Sequence, residues 1–150
     1  MITRAEKIFT HEIRRQVKNA VNAAEDITSG EIRIYVEDRC LEDVMDHAAF
    51  IFSKLKMHQT KLRNGVLFYL AIEDHKLAVL GDAGINAKAE DGFWQKVREH
   101  VISKFTENDF GAGLVEGIEM VSRVMAKHFP PGINDINELP DDIAFGNEKN

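Results

Sequence analysis

The sequence predicts an α/β domain in which a small mixed β-sheet carries helices on both faces. Three observations lead to that class. Long stretches place an apolar residue at every third or fourth position, the spacing of a helix with one buried stripe. The segment from Glu31 to Val36 alternates instead, the spacing of a strand. Val66-Leu67-Phe68-Tyr69-Leu70-Ala71-Ile72 is an unbroken apolar run, too short for a typical helix and suited to a strand covered on both sides. At 150 residues the chain can bury its own core as a single domain without a metal or a disulfide.

Taken in order, Thr3 and Glu6 read as a capping box, and Phe9, Ile13, Val17 and Val21 continue a helix expected to end near Thr28-Ser29-Gly30. In the first strand Ile32, Ile34 and Val36 should face a core, with Glu31, Arg33 and Tyr35 on a wetter side. Leu41, Val44, Met45, Ala48, Phe52 and Leu55 give a second helical stripe, with His58 near its carbonyl-rich end. It stops before Arg63-Asn64-Gly65, and the apolar run that follows is the central strand. Glu73-Asp74-His75-Lys76 is a turn, and Leu77-Ala78-Val79-Leu80 the returning arm of a hairpin.

Gly81-Asp82-Ala83-Gly84-Ile85 sets two glycines around one aspartate, which indicates unusual backbone angles or a close approach. Phe93, Val97, Val101 and Phe105 mark a third helix; Leu114, Ile118, Val121 and Met125 mark a fourth, capped by Asp109. Gly113-x-x-x-Gly117 in that fourth helix permits close packing. From Pro130 the chain turns to Pro, Gly, Asn and Asp, so residues 1–129 form the domain and 130–150 an extended tail, pinned by Ile136, Leu139 and Ile143.

Charge and composition exclude several classes of function. A net charge of -6 spread along the chain disfavours nucleic acid, which needs a concentrated basic surface. The N-terminus turns charged at once and no later run is apolar enough to span a bilayer, so no membrane insertion and a cytoplasmic location are expected. The lone Cys40 forms no disulfide framework and reads as a small apolar residue. Six scattered histidines without a spaced pair argue against zinc.

The strand-helix-strand crossover should make the first two strands parallel, and the hairpin should make the third antiparallel. One edge of the sheet then collects Glu31, Asn64, Gly65 and Asp82, with Glu90 and Asp91 at the start of the third helix and Asp109 from the next loop. These are hard oxygen donors of the kind Ca²⁺ takes, with Mg²⁺ as the alternative. Each has a plainer reading. Asp82 can stabilise its own turn; Glu90 and Asp91 suit a helix N-terminus through its dipole. Asp109 caps, Glu31 is a solvated strand residue, and Arg63 either pairs with an acidic neighbour or holds a phosphate bidentately.

Several segments together resemble the TPM domain family, particularly its short soluble bacterial members. They are Thr28-Ser29-Gly30-Glu31-Ile32-Arg33, Met57-His58-Gln59-Thr60-Lys61-Leu62-Arg63-Asn64-Gly65-Val66-Leu67, Gly81-Asp82-Ala83-Gly84-Ile85, Phe93-Trp94 and Asn137-Glu138-Leu139-Pro140-Asp141. The resemblance implies a three-layer α/β/α sandwich. It also implies calcium binding and an acid phosphatase activity, and the family includes thylakoid-lumen proteins tied to photosystem II repair. Many relatives carry a signal peptide and membrane anchor, and neither is expected from this sequence.

The expected function is therefore divalent-cation binding through Asp82, Asn64, Glu31, Gly65, Asp91, Glu90 and Asp109. A phosphomonoester hydrolase would use Asp82 as its carboxylate and Arg63 to balance charge. The competing class is a protein-interaction module in which the Asn137–Asp141 tail takes part and a metal, if bound, is structural.

Overall fold

The computed structural model describes residues 2–132 and 143–146. The elements in chain order are helices α1 (Arg4–Ile8) and α2 (His11–Asp26), strand β1 (Glu31–Glu37), helix α3 (Val44–Lys54), and a short 3₁₀ turn at Met57–Gln59. Strands β2 (Gly65–Ala71) and β3 (Lys76–Gly81), helices α4 (Ala83–Asn86), α5 (Phe93–Phe105) and α6 (Phe110–His128), and strand β4 (Ala144–Phe145) follow. The strands form one sheet in the order β3-β2-β1-β4. As the crossover and hairpin require, β1 and β2 are parallel, with Glu31 opposite Gly65, and β2 and β3 are antiparallel, with Val66 opposite Gly81.

The two-residue period of the strands assigns the layers. Ile32, Ile34 and Val36 of β1 join Val66, Phe68 and Leu70 of β2 in the larger core, closed by α1, α2, α5 and α6. Tyr35, Leu67, Tyr69 and Ala78 face the other way, onto Ala48, Ile51 and Phe52 of α3 and onto Met57. Every residue of β2 is buried, as a strand sandwiched between helical layers must be. Gly117 lets α6 settle against Val101 of α5 and Phe68 of β2, since a Cβ there would lie 2.6 Å from the Val101 methyl.

Several expectations need correction. The first helix is two: Thr10 turns out to be an N-cap, its hydroxyl accepting from Ile13 N–H, and the break lets Phe9 enter the core against Phe110 and Phe145. Arg14 braces the corner by donating to the carbonyls of Phe9 at 2.7 Å and Glu6 at 3.1 Å. The side of β1 expected to be wetter is largely covered: Glu31 and Tyr35 are both buried, Tyr35 in the smaller core that α3 closes.

The second helix starts only at Val44, where the Asp43 carboxylate accepts from the Met45 and Asp46 N–H groups. That leaves Leu41 outside the helix and 91% exposed. Where an extended tail was expected, Ala144 and Phe145 pair in parallel with Tyr35 and Val36 of β1, and Phe145 sits 4.5 Å beneath the Arg14 guanidinium. Ile143 packs on the larger core; Ile136, Leu139 and the Asn137–Asp141 motif lie outside the described residues.

Candidate functional site

Three separate segments meet at the end of the sheet where β1 and β2 begin and β3 finishes. The Asn64 carbonyl accepts from Glu31 N–H at 3.4 Å, and the Gly65 carbonyl accepts from Asp82 N–H at 2.9 Å. Glu31, Asn64, Gly65 and Asp82 are thus brought together, as the topology argument required. Of the six buried polar or charged residues among those described, Thr28, Glu31, Thr60, Asn64 and Asp82 belong to the segments converging here; Ser122 on α6 is the sixth. Most buried polar groups are hydrogen-bonded. Thr28 donates to the Phe129 carbonyl and accepts from Gly30 N–H, and the Asn64 amide donates to Ser29 Oγ at 3.4 Å.

Asp82 has the most specific arrangement. Its Oδ2 accepts from Arg63 Nε at 2.7 Å and its Oδ1 from Arg63 Nη2 at 2.8 Å, a bidentate fork, while Oδ1 also accepts from Ala83 N–H at 2.8 Å and so caps α4. The two partners are unequal: the Arg63 side chain is 51% exposed and that of Asp82 only 6%. The carboxylate's hydrogen bonds, then its charge, raise the Arg63 pKa above its ordinary value.

Arg63 also adopts a left-handed backbone, φ 52°, a conformation that costs a non-glycine residue free energy unless its surroundings enforce it. Gly84 supplies that enforcement. Its N–H donates to the Arg63 carbonyl at 2.8 Å, and a Cβ there would lie 2.1 Å from the Leu62 carbonyl oxygen. The glycine pair noted in the sequence is a close approach between two loops.

Of the remaining predicted ligands, Glu90 and Asp91 lie toward this end of the sheet, since Trp94 at the start of α5 stands against Gly81, and Asp109 lies away from it. Glu90 and Asp91 are exposed, in the turn that precedes α5, and Glu90 lies beside Lys88, Lys127 and His128. Asp109 accepts from Ala112 N–H as the cap of α6. Its neighbours Asn108 and Phe110 line a cavity with Leu70–Leu77 residues of the hairpin, so it belongs to the opposite end of the sheet. The reason is directional: α5 climbs away from the edge before the chain reaches residue 109. Among the described residues no group of three or more His, Cys, Asp or Glu side chains is placed to hold a metal ion.

Comparison with protein-family models matches residues 2–124 to the TPM domain. This chain belongs to the TPM domain family. Among solved structures it is similar to the BA42 protein of the psychrophilic bacterium Bizionia argentinensis, at 43% identity and a TM-score of 0.85, over 91% of this chain and 94% of that one. The N-terminal domain of a P. gingivalis protein shares the fold at 16% identity and a TM-score of 0.67, over 83% of each chain. That of a Corynebacterium glutamicum protein shares it at 12% identity and 0.59, over 77% and 73%. Curated protein sequences gave no match.

The opposite end of this TPM domain holds a second polar cluster that sequence reasoning missed. Glu37, the last residue of β1, accepts from the Tyr69 hydroxyl and contacts His47 Nε2 at 2.8 Å, while His47 Nδ1 lies 3.0 Å from Glu42. Burial, then the bond to Glu37, pushes the Tyr69 pKa far up; burial and the Glu37 charge raise that of Tyr35. Asp38 accepts from the Arg4 and Ala5 N–H groups at the start of α1, and Asp74 from Cys40 N–H at 2.7 Å. Cys40 is buried, with its thiol directed to the Glu42 carbonyl. A histidine four positions into a helix whose buried face meets the strand end was the only sequence signal. No described helix is long and apolar enough to cross a membrane.

Proposed function

We propose that this TPM domain binds a divalent cation, calcium first and magnesium as the alternative, at the Glu31–Asn64–Asp82 edge, by exchange with Arg63. One observation carries the reading: a nearly buried carboxylate, Asp82, is neutralised by a cation that is itself half in solvent. In this reading the guanidinium stands where the metal ion would sit, and its half-exposed side chain lets it leave.

Hard carboxylate and amide oxygens suit such an ion. Both Asp82 oxygens are engaged, and the Arg63, Asn64 and Gly65 carbonyls already accept backbone N–H groups. The protein therefore falls short of the about six to eight oxygens calcium takes, and water completes the shell, which makes the binding weak. The proposed phosphomonoester chemistry rests on the same pair. A released Arg63 offers its two-pronged donor to phosphate oxygens, and Asp82 is the carboxylate beside it.

Calcium titration followed by amide NMR tests the exchange. Shifts should appear first at Gly65, Asp82 and Gly84 and vanish in Asp82→Asn. Arg63→Ala, which removes the competitor, should tighten binding roughly tenfold. If Arg63→Ala binds no more tightly than wild type, the exchange is wrong.

A second reading, an interaction module, is favoured by the outer side of α3 and the loop before it. Leu41, Met45 and Phe50 are 91%, 46% and 59% exposed, beside Glu42, Asp43 and Asp46. Apolar patches rimmed by charge mark contact surfaces. The acidic rim fits a protein segment carrying apolar and basic side chains, and its association would be insensitive to chelator.

A further inference from the structure

A second cavity, of about 280 Å³, lies between the C-terminal half of α6 and the segment joining α4 to α5. Lys88, Arg123, Lys127 and His128 line it with Phe93 and Val124, and among the described residues Glu90 is the one acid in its lining. It faces the same end of the sheet as the Asp82 edge, since Phe129, just past α6, accepts through its carbonyl from Ser29 N–H and the Thr28 hydroxyl. Among the described residues none of the four basic side chains makes an ion pair.

That arrangement is unusual in a chain with 25 acidic residues against 19 basic ones. Like charges gathered in one place repel. The helix dipole accounts for Lys127 and His128, which sit in the last turn of α6 and complement its carbonyls. It does not account for Arg123, more than one turn back, nor for Lys88, which comes from another segment.

We infer that this cavity binds a phosphate group carried by a small molecule. A phosphate brings up to two negative charges and several acceptor oxygens, enough to engage donors arriving from two directions, which a single carboxylate does not. Arg123 offers the planar fork and the lysines the point charges. Phe93 and Val124 supply an apolar floor that strengthens those interactions by keeping water from one side. The space accepts the phosphate and a small organic body, not a polymer. The cavity takes an anion through cationic donors, so it stands independently of the proposed cation site.

The test is a titration of the full chain with inorganic phosphate and with pyrophosphate, in EDTA so that no divalent cation takes part, read by amide NMR. Shifts should centre on Phe93, Arg123, Val124 and Lys127, weaken as salt is raised, and prefer pyrophosphate. The exposed pair Arg123→Glu/Lys127→Glu should weaken binding about tenfold or more, while Lys7→Glu/Lys104→Glu, an equal charge change elsewhere, leaves it intact. Absence of phosphate shifts, or shifts that survive Arg123→Glu/Lys127→Glu, overturns the assignment. So does binding to phosphatidylserine vesicles without binding of either free anion. Failure here leaves the calcium titration untouched, and failure of that titration leaves this one untouched.

Discussion

The two ends of the sheet both gather acidic residues, yet they use them differently. At the hairpin end three acids are committed to the fold, Asp38 to the first turn of α1, Asp74 to the Cys40 amide and Glu37 to a tyrosine and a histidine, while Glu73 pairs with the exposed Arg39. At the opposite end Asp82 keeps one backbone donor, Ala83 N–H, and is otherwise held by a side chain that is half in solvent. Backbone donors cannot leave without unfolding something, whereas an exposed guanidinium can. A cluster of carboxylates is therefore informative only once the partner of each is known. The partner's freedom, more than the count of acids, separates a structural cluster from an exchangeable one.

The largest effect that bears on this contrast is expected at Gly84. Gly84→Ala places a Cβ on the Leu62 and Arg63 carbonyls, which are backbone atoms and cannot rotate aside. Urea unfolding should show a loss of about 3 kcal/mol, with the Arg63–Asp82 fork displaced. A fully stable variant would mean that the loop is not clamped. At the other end Asp38→Ala should cost about 1.5 kcal/mol, since two N–H groups of α1 lose their acceptor. An effect near zero there would remove the claim that the acids of that end are committed.

The smallest effect is expected from Tyr69→Phe, about 1 kcal/mol near neutral pH. Its value lies in the pH dependence. Because the folded pKa of Tyr69 is raised, its contribution is complete below the unfolded value of about 10 and is lost as pH rises above it, where the unfolded phenol ionises and the folded one stays protonated. Wild-type stability should therefore fall from pH 9 to 11 more steeply than that of Tyr69→Phe. Equal slopes would show that the phenol is not held as described.

Much of the fold was legible because short-range periods encode it. The alternation of Ile32, Ile34 and Val36 and the continuous run after Gly65 specify strands, and the hairpin at Glu73–Lys76 fixes the direction of the third. Topology then brings Glu31, Asn64 and Asp82 to one edge. What failed was whatever depends on a distant partner. Thr10 starts a new helix because Phe9 finds a place between Phe110 and Phe145. Glu31 is buried where Asn64 of a later loop meets it, and Asp109 leaves the edge because α5 carries it away.

The sequence by itself determined the α/β class, the strand directions and the family, for these follow from patterns that repeat along the chain. Only the tertiary structure decided which charges meet: that Asp82 faces Arg63, that His47 lies between Glu37 and Glu42, and that Lys88 joins Arg123 and Lys127 around one cavity. The physical reason is that charge pairing depends on separations of a few ångströms between residues tens of positions apart. No local period records those distances.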